Sequence, residues 1–423
     1  CISSAASNVY KRQVVEYNPF HNGHLYHIKE AKSETRSEVA VAVMSGSFLQ
    51  RGEPAIVSKW ARTKMALASF ADVVVELPYI FAVQKAETFA EGAVSILNEL
   101  GCSSLFFGSE HGDIEAFLNT AAHTIEHEDR LNEEARKQIA FGLSYPQAMA
   151  KAFRSVTREG GNIVDLSKPN NILGFHYVKA IMQKQLSMKP ETVKRRSSGY
   201  HDSTFPEADR IASATSIRKS IFETGGLADS RFYLPKTTVD ELDEYARTFG
   251  MWHSPEDYFP FLKYSLHTMD TEELKGIYEV EEGLEHRVKK AIRKAGSFKE
   301  YMQLLKTKRY TWTRLQRMNT HILTKTKKAY VKRMLNETHP AYIRLLGMTK
   351  KGQAYLAEKK KSLSAPLITK TGSFSHPSLQ LDIKAGQVYS APLKEPVRTM
   401  LTEQEYSLSP IRYDEDSRIF LRK

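Results

Sequence analysis

The chain contains 423 residues, of which 41% are hydrophobic and 10% aromatic, values typical of a globular protein with two or three domains. Its only cysteines, Cys1 and Cys102, exclude a disulfide framework and a cysteine-based metal centre, and they suit a reducing cytoplasm, where we expect the protein to be located. No apolar run is long enough to span a bilayer, so we expect no membrane association.

The net charge of +12 is unevenly distributed. Residues 226–423 carry 35 Lys and Arg against 24 Asp and Glu, whereas residues 1–225 carry 26 against 25. This split predicts a near-neutral catalytic domain at 14–225 and a basic region at 226–423 that binds a polyanion. The alternative is a basic helical surface that is merely solvated. Residues 1–13 fit no element and are expected to be a non-native leader.

The N-terminal half alternates predicted strands with predicted helices. The predicted strands cover 14–17, 39–44, 72–77 and 104–107, and the predicted helices cover 23–32, 58–69 and 85–100. Uninterrupted apolar runs are typical of strands covered on both faces. The alternation predicts an α/β fold with a parallel, doubly wound, Rossmann-like sheet.

Further helices are predicted within 114–158, from 169 to 183 and from 213 to 222, with a strand at 190–196. The pair Gly225-Gly226 marks the predicted domain boundary. The rest is predicted to be mainly helical, at 239–249, 258–267, 271–277, 284–295, 298–306, 311–323 and 329–335. Short strands are predicted at 367–369 and 387–389.

The most informative motif, His21-Asn22-Gly23-His24, follows the first predicted strand and opens a helix. A helix N-terminus offers unpaired N–H groups and a partial positive charge, and two imidazoles three residues apart share one face. Both rings can therefore donate to the oxygens of a nucleotide α-phosphate under attack, while Gly23 lets the backbone approach closely. The alternative is a polar helix cap with incidental histidines. No third ligand is apparent for zinc, so no metal site is predicted.

A second helix start lies at Ser213-Ala214-Thr215-Ser216-Ile217-Arg218. Hydroxyl and amide groups at Ser213 and Thr215 can hold phosphate oxygens, and Arg218 can neutralise their charge. A simple Ser N-cap is the alternative, but the first motif favours a second phosphate site.

Two segments after predicted strands are further candidates. Gly108 can admit an adenosine against the backbone at the carboxyl end of a strand, or it can belong to an ordinary turn. The long loop at 45–59 places Gln50, Arg51 and Lys59 where they could face a substrate or solvent.

Basic residues alternate with aromatic ones between 306 and 333, a pattern typical of phosphate contacts combined with base stacking. Trp312 in this segment could instead belong to the core. The residues predicted to contact RNA are Lys308, Arg309, Arg314, Arg317, Lys327 and Lys328.

Six segments, at 14–24, 44–55, 107–110, 169–173, 199–202 and 213–218, together resemble the bacterial tRNA(Met) cytidine acetate ligases, which belong to the HIGH-motif nucleotidyltransferases. The resemblance implies a HUP-type nucleotidyltransferase domain. It implies that ATP and acetate form acetyl-adenylate, and that elongator tRNA(Met) then accepts the acetyl group at its wobble cytidine as N4-acetylcytidine. Mg²⁺ is expected with ATP, although no carboxylate pair marks a dedicated site.

The resemblance and the motifs together define the expected ATP site, with His21 and His24 as catalytic residues. The choices between Asn170 and Asn171 and between Arg195 and Arg196 stay open. The expected ATP contacts are Val14, Val15, Glu16, Tyr17, Asn18, Pro19, Phe20, His21, Asn22, Gly23, His24, Leu25, Tyr26, His27, Gly108, Asn170, Arg195, Ser213, Thr215 and Arg218. A small-molecule adenylyltransferase and a non-catalytic RNA-binding protein are the alternative functions.

Overall fold

The computed structural model describes residues 11–26, 28, 39–143, 145–156, 162–195, 210–337 and 340–421. The predicted features at His27, Arg196 and 199–202 lie outside these residues, as does most of the predicted leader. Residues 11–13, which we assigned to that leader, instead begin the first strand, where Lys11 to Val15 pair with Ala40 to Met44.

The secondary structure is dominated by helices and contains nine short strands in the described residues. The strands are β1 (Lys11–Val15), β2 (Ala40–Ser45), β3 (Val73–Leu77), β4 (Ser104–Ser109), β5 (Lys189–Lys194), β6 (Ile343–Thr349), β7 (Leu367–Ile368), β8 (Ile411–Asp414) and β9 (Ile419–Phe420). The helices of the first half are α1 (22–26), α2 (Lys59–Ser69), α3 (Tyr79–Ala82), α4 (Ala86–Glu99), α5 (Ile114–Glu126), α6 (Glu128–Ala140), α7 (Tyr145–Val156), α8 (Pro169–Gln183) and α9 (Ala214–Thr224). Those of the second half are α10 (Lys236–Phe249), α11 (Phe259–Thr268), α12 (Thr271–Lys275), α13 (Leu284–Ile292), α14 (Phe298–Leu305), α15 (Trp312–Leu323), α16 (Lys328–Leu335), α17 (Lys350–Lys359), α18 (Pro377–Ser390) and α19 (Val397–Ser407).

Parallel strands form the part of the sheet that positions the site. β1, β2 and β3 are parallel neighbours, β4 lies against β1, and β4 pairs in parallel with β5. Every residue of β2 and β3 is buried, as expected for strands covered on both faces. The strands lie in the spatial order β3-β2-β1-β4-β5. The chain therefore adds strands on one side of β1 first and then on its other side, and the carboxyl ends of the strands at such a switch point form a ligand crevice.

The predicted α/β class is confirmed, but the sheet also recruits strands from the C-terminal region. β6 pairs antiparallel with β3, and β8 extends the sheet on the far side of β6. The predicted boundary at residue 225 is therefore not a boundary of the sheet. The strand predicted at 387–389 is wrong, because these residues belong to α18.

A second hydrophobic core lies entirely within the helical region. Twenty buried residues between Phe259 and Ile322, contributed mainly by α11, α13, α14 and α15, form this cluster. The helical prediction for 258–323 is confirmed. This unit brings α15 against the loop that follows β2, since the hydroxyl of Thr320 donates to the carbonyl of Gly52 at 2.7 Å.

A buried network of ion pairs connects α2 and β3 with β6 and α19. Lys59, only 1% exposed, pairs with Glu76 at 2.9 Å and with Glu405 at 2.8 Å, and Arg344 contacts both carboxylates at 3.1 Å. Lys59 therefore faces neither a substrate nor solvent, so both predicted environments for this residue of the loop at 45–59 are wrong.

Candidate active site

The turn after β1 brings both histidines of the first motif to the carboxyl edge of the sheet. The carbonyl of His21 accepts hydrogen bonds from the backbone of His24 at 2.9 Å and of Leu25 at 3.2 Å, so His21 caps α1. The side chain of Asn22 donates to the carbonyls of Arg210 at 2.9 Å and Phe232 at 3.0 Å. The first turn of α1 is thereby tied to the segments that precede and follow α9.

Backbone donors orient both imidazole rings. Nδ1 of His21 accepts from the amide of Gly23 at 3.0 Å, and Nδ1 of His24 accepts from the amide of His21 at 3.3 Å. In a neutral imidazole with Nδ1 as acceptor, the proton resides on Nε2, so each ring can donate from Nε2. The ring centroids lie 3.9 Å apart. This pair can therefore place two N–H donors on one anionic group.

Gly23 serves the histidines directly. A Cβ at this position would lie 2.8 Å from Cε1 and 2.9 Å from Nδ1 of His21, so only glycine leaves room for that ring. Tyr17 and Phe20, both buried, pack against His24 with ring centroids 5.1 and 5.6 Å away. These contacts fix the ring orientation before any ligand arrives.

Arg62 holds the strand ends that precede the motif. Its buried guanidinium donates to the carbonyls of Glu16 at 2.7 Å and Ser45 at 2.9 Å, and also to that of Gly46. Burial lowers the pKa of Arg62 to about 10, so the group stays charged at neutral pH. No local sequence pattern indicates this role, because an arginine inside an amphipathic helix is normally a surface residue.

The second motif contacts the first through Arg218. Its guanidinium donates to the carbonyl of Asn18 at 2.9 Å and to the carboxylate of Glu53 at 3.2 Å. Ser213 is the N-cap of α9, accepting from the amide of Ser216, and Thr215 is exposed on the first turn. The predicted juxtaposition of the two motifs is thus present, and Glu53 is a partner that the sequence reasoning missed.

Two half-buried charged side chains, Glu16 and Arg51, lie beside the motif. Glu16 accepts from the amide of Gln50 at 2.7 Å. Burial raises the pKa of Glu16, and the hydrogen bond from Gln50 and the charge of Arg51 oppose that shift. Gln50 and Arg51 both line the cleft, which favours the hypothesis that they face a substrate over the hypothesis that they face only solvent.

Asn170 and Asn171 lie next to each other at the start of α8, but their side chains have different roles. Asn171 is buried and accepts from the amides of Glu110 and His111 at 3.0 and 3.1 Å, which makes it a structural residue. Asn170 donates to Glu110 at 2.7 Å and accepts from Arg195 at 3.4 Å. Asn170 and Arg195 both line the cleft beside Gly108, so their placement favours Asn170 as the ligand contact.

The basic segment faces the same cleft, but acidic partners accompany its arginines. Arg314 pairs with Glu281 at 3.0 Å, and Arg317 pairs with Glu279 at 2.8 Å. The side chain of Arg317 is only 9% exposed, so its surroundings favour a structural role over a direct phosphate contact. The guanidinium of Arg314 lies 4.6 Å from the centre of the Tyr310 ring.

The other predicted RNA contacts differ in accessibility. Arg309 pairs with Glu282 at 2.8 Å, and the ammonium group of Lys328 donates to the carbonyl of Val280. Lys308 and Lys327 are exposed. Trp312 is 37% exposed and is absent from the helical core cluster, so the core alternative for this residue is wrong.

One broad cleft joins these elements. The predicted ATP contacts that line it are Val14, Val15, Glu16, Tyr17, Asn18, His21, His24, Gly108, Asn170, Arg195, Ser213, Thr215 and Arg218. The predicted RNA contacts that line it are Arg309, Arg314 and Arg317. Among the described residues, those not lining it are Pro19, Phe20, Asn22, Gly23, Leu25, Tyr26, Lys308, Lys327 and Lys328. Two sets of residues far apart in sequence therefore share one site.

The family profile described as HIGH Nucleotidyl Transferase matches residues 13–405. A protein of Bacillus licheniformis named tRNA(Met) cytidine acetate ligase is 99% identical over 410 residues, covering 97% of this chain and 99% of the relative. The protein of the same name from Bacillus subtilis (strain 168) is 60% identical over 409 residues, covering 96% and 98%. The chain belongs to the tRNA(Met) cytidine acetate ligase family.

Solved structures of a family member support this placement. The chain superposes on Thermotoga maritima TmcAL in its apo form with a TM-score of 0.87, at 30% identity over 96% of this chain and 100% of that one. A second TmcAL structure, bound with alpha-thio ATP, gives a TM-score of 0.85 at the same identity and coverage. The predicted family, the fold and the assignment as a ligase are therefore confirmed. Within the described residues, no helix combines the length and apolarity needed to cross a membrane.

Proposed function

We propose that this protein is an ATP- and acetate-dependent ligase that forms N4-acetylcytidine at the wobble position of elongator tRNA(Met), through an acetyl-adenylate intermediate. One observation carries the proposal: the histidine pair that suits a nucleotide phosphate and the arginines of the basic helical region line a single cleft. The names of the relatives, and the nucleotide analogue bound to the Thermotoga maritima protein, supply the substrates.

The first step needs charge stabilisation rather than a base. Free acetate is ionised at neutral pH, since a carboxyl pKa is about 4. Its oxygen attacks the α-phosphorus, the bond from that phosphorus to the bridging oxygen breaks, and pyrophosphate leaves. The Nε2 donors of His21 and His24 stabilise the added charge on the α-phosphate oxygens, and Arg218 with the start of α9 holds the departing phosphates.

In the second step the cytidine amine attacks the acetyl carbonyl, AMP leaves with the electron pair of the broken C–O bond, and the amine loses a proton. We assign no protein base to that proton. Arg309 and Arg314 lie at the cleft where they can exchange their carboxylate partners for tRNA phosphates, while the exposed Lys308 and Lys327 extend the basic surface. Lys328 is a weaker candidate, because its ammonium group is bound to a backbone carbonyl.

Mg²⁺ would accompany ATP and neutralise its phosphates. The carboxylates lining this part of the cleft, Glu16, Glu53 and Glu110, already accept hydrogen bonds from Gln50, Arg218 and the Asn170–Asn171 segment. The proposal therefore places the ion on the nucleotide and assigns no protein ligand to it. A cytoplasmic location is part of the same proposal, since both ATP and tRNA are found there.

The test incubates the protein with labelled acetate, ATP and total tRNA, followed by digestion and separation of nucleosides. We expect label in acetylcytidine and stoichiometric release of AMP and pyrophosphate. Omission of tRNA should leave only acetate-dependent exchange between pyrophosphate and ATP. Turnover of ATP with a small-molecule acceptor, and no label in tRNA, would favour the adenylyltransferase alternative and refute the proposal. Binding of tRNA without ATP turnover would favour a non-catalytic role.

A further inference from the structure

A cluster of potential metal ligands lies outside the cleft, where α5 meets α6. His123 and His127 are four residues apart and Glu126 lies between them, so the sequence reads His-x-x-Glu-His. One ligand atom from each of the three side chains lies within 4.8 Å of the others. Residues four apart on a helix share a face, which explains the convergence of the two rings.

The surroundings of the cluster favour a ligand over a simple capping role. Nε2 of His123 is buried and makes no hydrogen bond in the described structure. The rings of His123 and His127 stand nearly perpendicular, with centroids 4.4 Å apart. Glu126 is exposed, and His127 caps α6 without a side-chain hydrogen bond. Within the described part of the chain, the cluster therefore combines a buried, unsatisfied imidazole nitrogen with two further potential ligands.

We propose that His123, Glu126 and His127 bind a divalent transition-metal ion such as Zn²⁺. Zinc lies about 2.0–2.2 Å from histidine nitrogen and carboxylate oxygen, so tetrahedral ligand atoms are roughly 3.4 Å apart. The three ligand atoms lie within 4.8 Å of one another, so they must close by up to about 1.4 Å to reach that spacing. Three protein ligands leave a fourth position for water, and imidazole ligands select zinc-like ions over Mg²⁺.

The location connects this site to the cleft wall. The ring of His123 lies edge-on to Phe153 of α7, with centroids 6.1 Å apart, and Phe153 belongs to the small core that holds α6 against α7. Lys151 and Arg154 of α7 line the cleft. A bound ion would thus fix the α5–α6 turn and, through it, the orientation of a helical hairpin that borders the cleft.

The experiment uses the full-length protein after removal of metal by a chelator, titrated with Co²⁺ and with Zn²⁺. We expect one ion per chain, a visible Co²⁺ absorption typical of nitrogen ligation, and no displacement by an equal concentration of Mg²⁺. The variants His127→Gln and Glu126→Gln should each weaken metal binding at least about tenfold. Loss of a residue that only supports a metal ligand already weakens binding by about 10–100-fold, so loss of a ligand itself should cost at least as much. Because Glu126 is exposed, its variant should fold normally.

Two controls identify the site. His286→Gln alters an exposed histidine that has a neighbouring glutamate but no second histidine, and it should bind metal as wild type does. His24→Gln disrupts the other histidine pair, and it too should keep the ion. Wild-type affinity for the metal in His127→Gln would overturn the proposal whatever His24→Gln shows, as would the absence of stoichiometric binding to the wild type.

Discussion

His24→Ala should separate the chemistry from tRNA binding. If the Nε2 donor of His24 stabilises charge on the α-phosphate, its loss should reduce kcat for acetate-dependent adenylation by about 10²–10³-fold, or roughly 2.7–4 kcal/mol. The effect on folding should be smaller. His24 is half-buried, and its ring contacts with Tyr17 and Phe20 are together worth on the order of 1 kcal/mol. A domain stable by about 5–15 kcal/mol stays folded after that loss, so unfolding cannot account for a hundredfold decrease.

A pair of matched variants sharpens this test. Asparagine at position 24 can still accept the 3.3 Å hydrogen bond from the His21 amide, but it carries no donor where Nε2 stands. Glutamine reaches the Nε2 position with an N–H donor and gives up that acceptor. We therefore expect His24→Gln to retain more activity than His24→Asn in a pyrophosphate-exchange assay, with both binding tRNA like the wild type. Equal activity of His24→Asn and wild type, or parallel loss of tRNA binding and exchange, would refute the assigned role.

Three further predictions follow from the charged groups. Arg314→Ala should weaken tRNA binding and reduce the slope of log Kobs against log salt concentration by about 0.9, and an unchanged slope would exclude Arg314 from the tRNA interface. Arg317→Ala should instead lower the free energy of unfolding, measured in urea titrations, by about 3 kcal/mol. Burial lowers the pKa of both His253 and His321 to about 3. Below pH 6.5 these two histidines bind protons in the unfolded chain but stay neutral in the folded chain, so the free energy of unfolding should fall by about 2 kcal/mol per histidine at pH 5. A melting temperature that is constant from pH 7 to 5 would contradict this prediction. Lys59→Met should cost about 3–5 kcal/mol, measured by denaturant unfolding, because it leaves two buried carboxylates short of a partner.

The parallel part of the fold could be predicted because its signals are local. The buried runs of β2 and β3 are mostly apolar, with Val41 to Met44 and Val73 to Val75 uninterrupted, and the helix predicted at 58–69 is present with Ser58 as its N-cap. The strand β6 was missed, because its pairing with β3 joins residues about 270 positions apart and leaves no local pattern. The strands β8 and β9 were also missed, since they contain only 4 and 2 residues.

The error at 387–389 has the same origin. Val388 and Tyr389 are residue types that favour strands, but Leu381, Ala385 and Tyr389 occupy the buried face of α18 at helical spacing. Tyr389 also donates to the carbonyl of Ala55 at 2.8 Å. A tertiary contact over more than 300 residues thus decided between two locally acceptable conformations.

The candidate site divides along similar lines. The sequence indicated both histidines, the second phosphate motif and the basic segment, since these depend on residue type at fixed local spacing. It did not reveal Glu53 beside Arg218, Glu279 and Glu281 beside the arginines of α15, or Arg62 beneath the strand ends. Each of these partners lies far away in the chain, so composition alone overstated the uncompensated positive charge that lines the cleft.

The sequence by itself determined the family and the candidate motifs of the site: a His-Asn-Gly-His turn after a strand, a Ser/Thr-rich helix start with its arginine, and a basic C-terminal region. Tertiary structure alone decided that these features share one cleft, that Asn170 faces it while Asn171 supports the backbone, and that Lys59 and Arg317 are held by carboxylates. The physical reason is that local spacing specifies which groups a turn or helix can present. The partners of those groups are specified only when distant segments pack and exclude water.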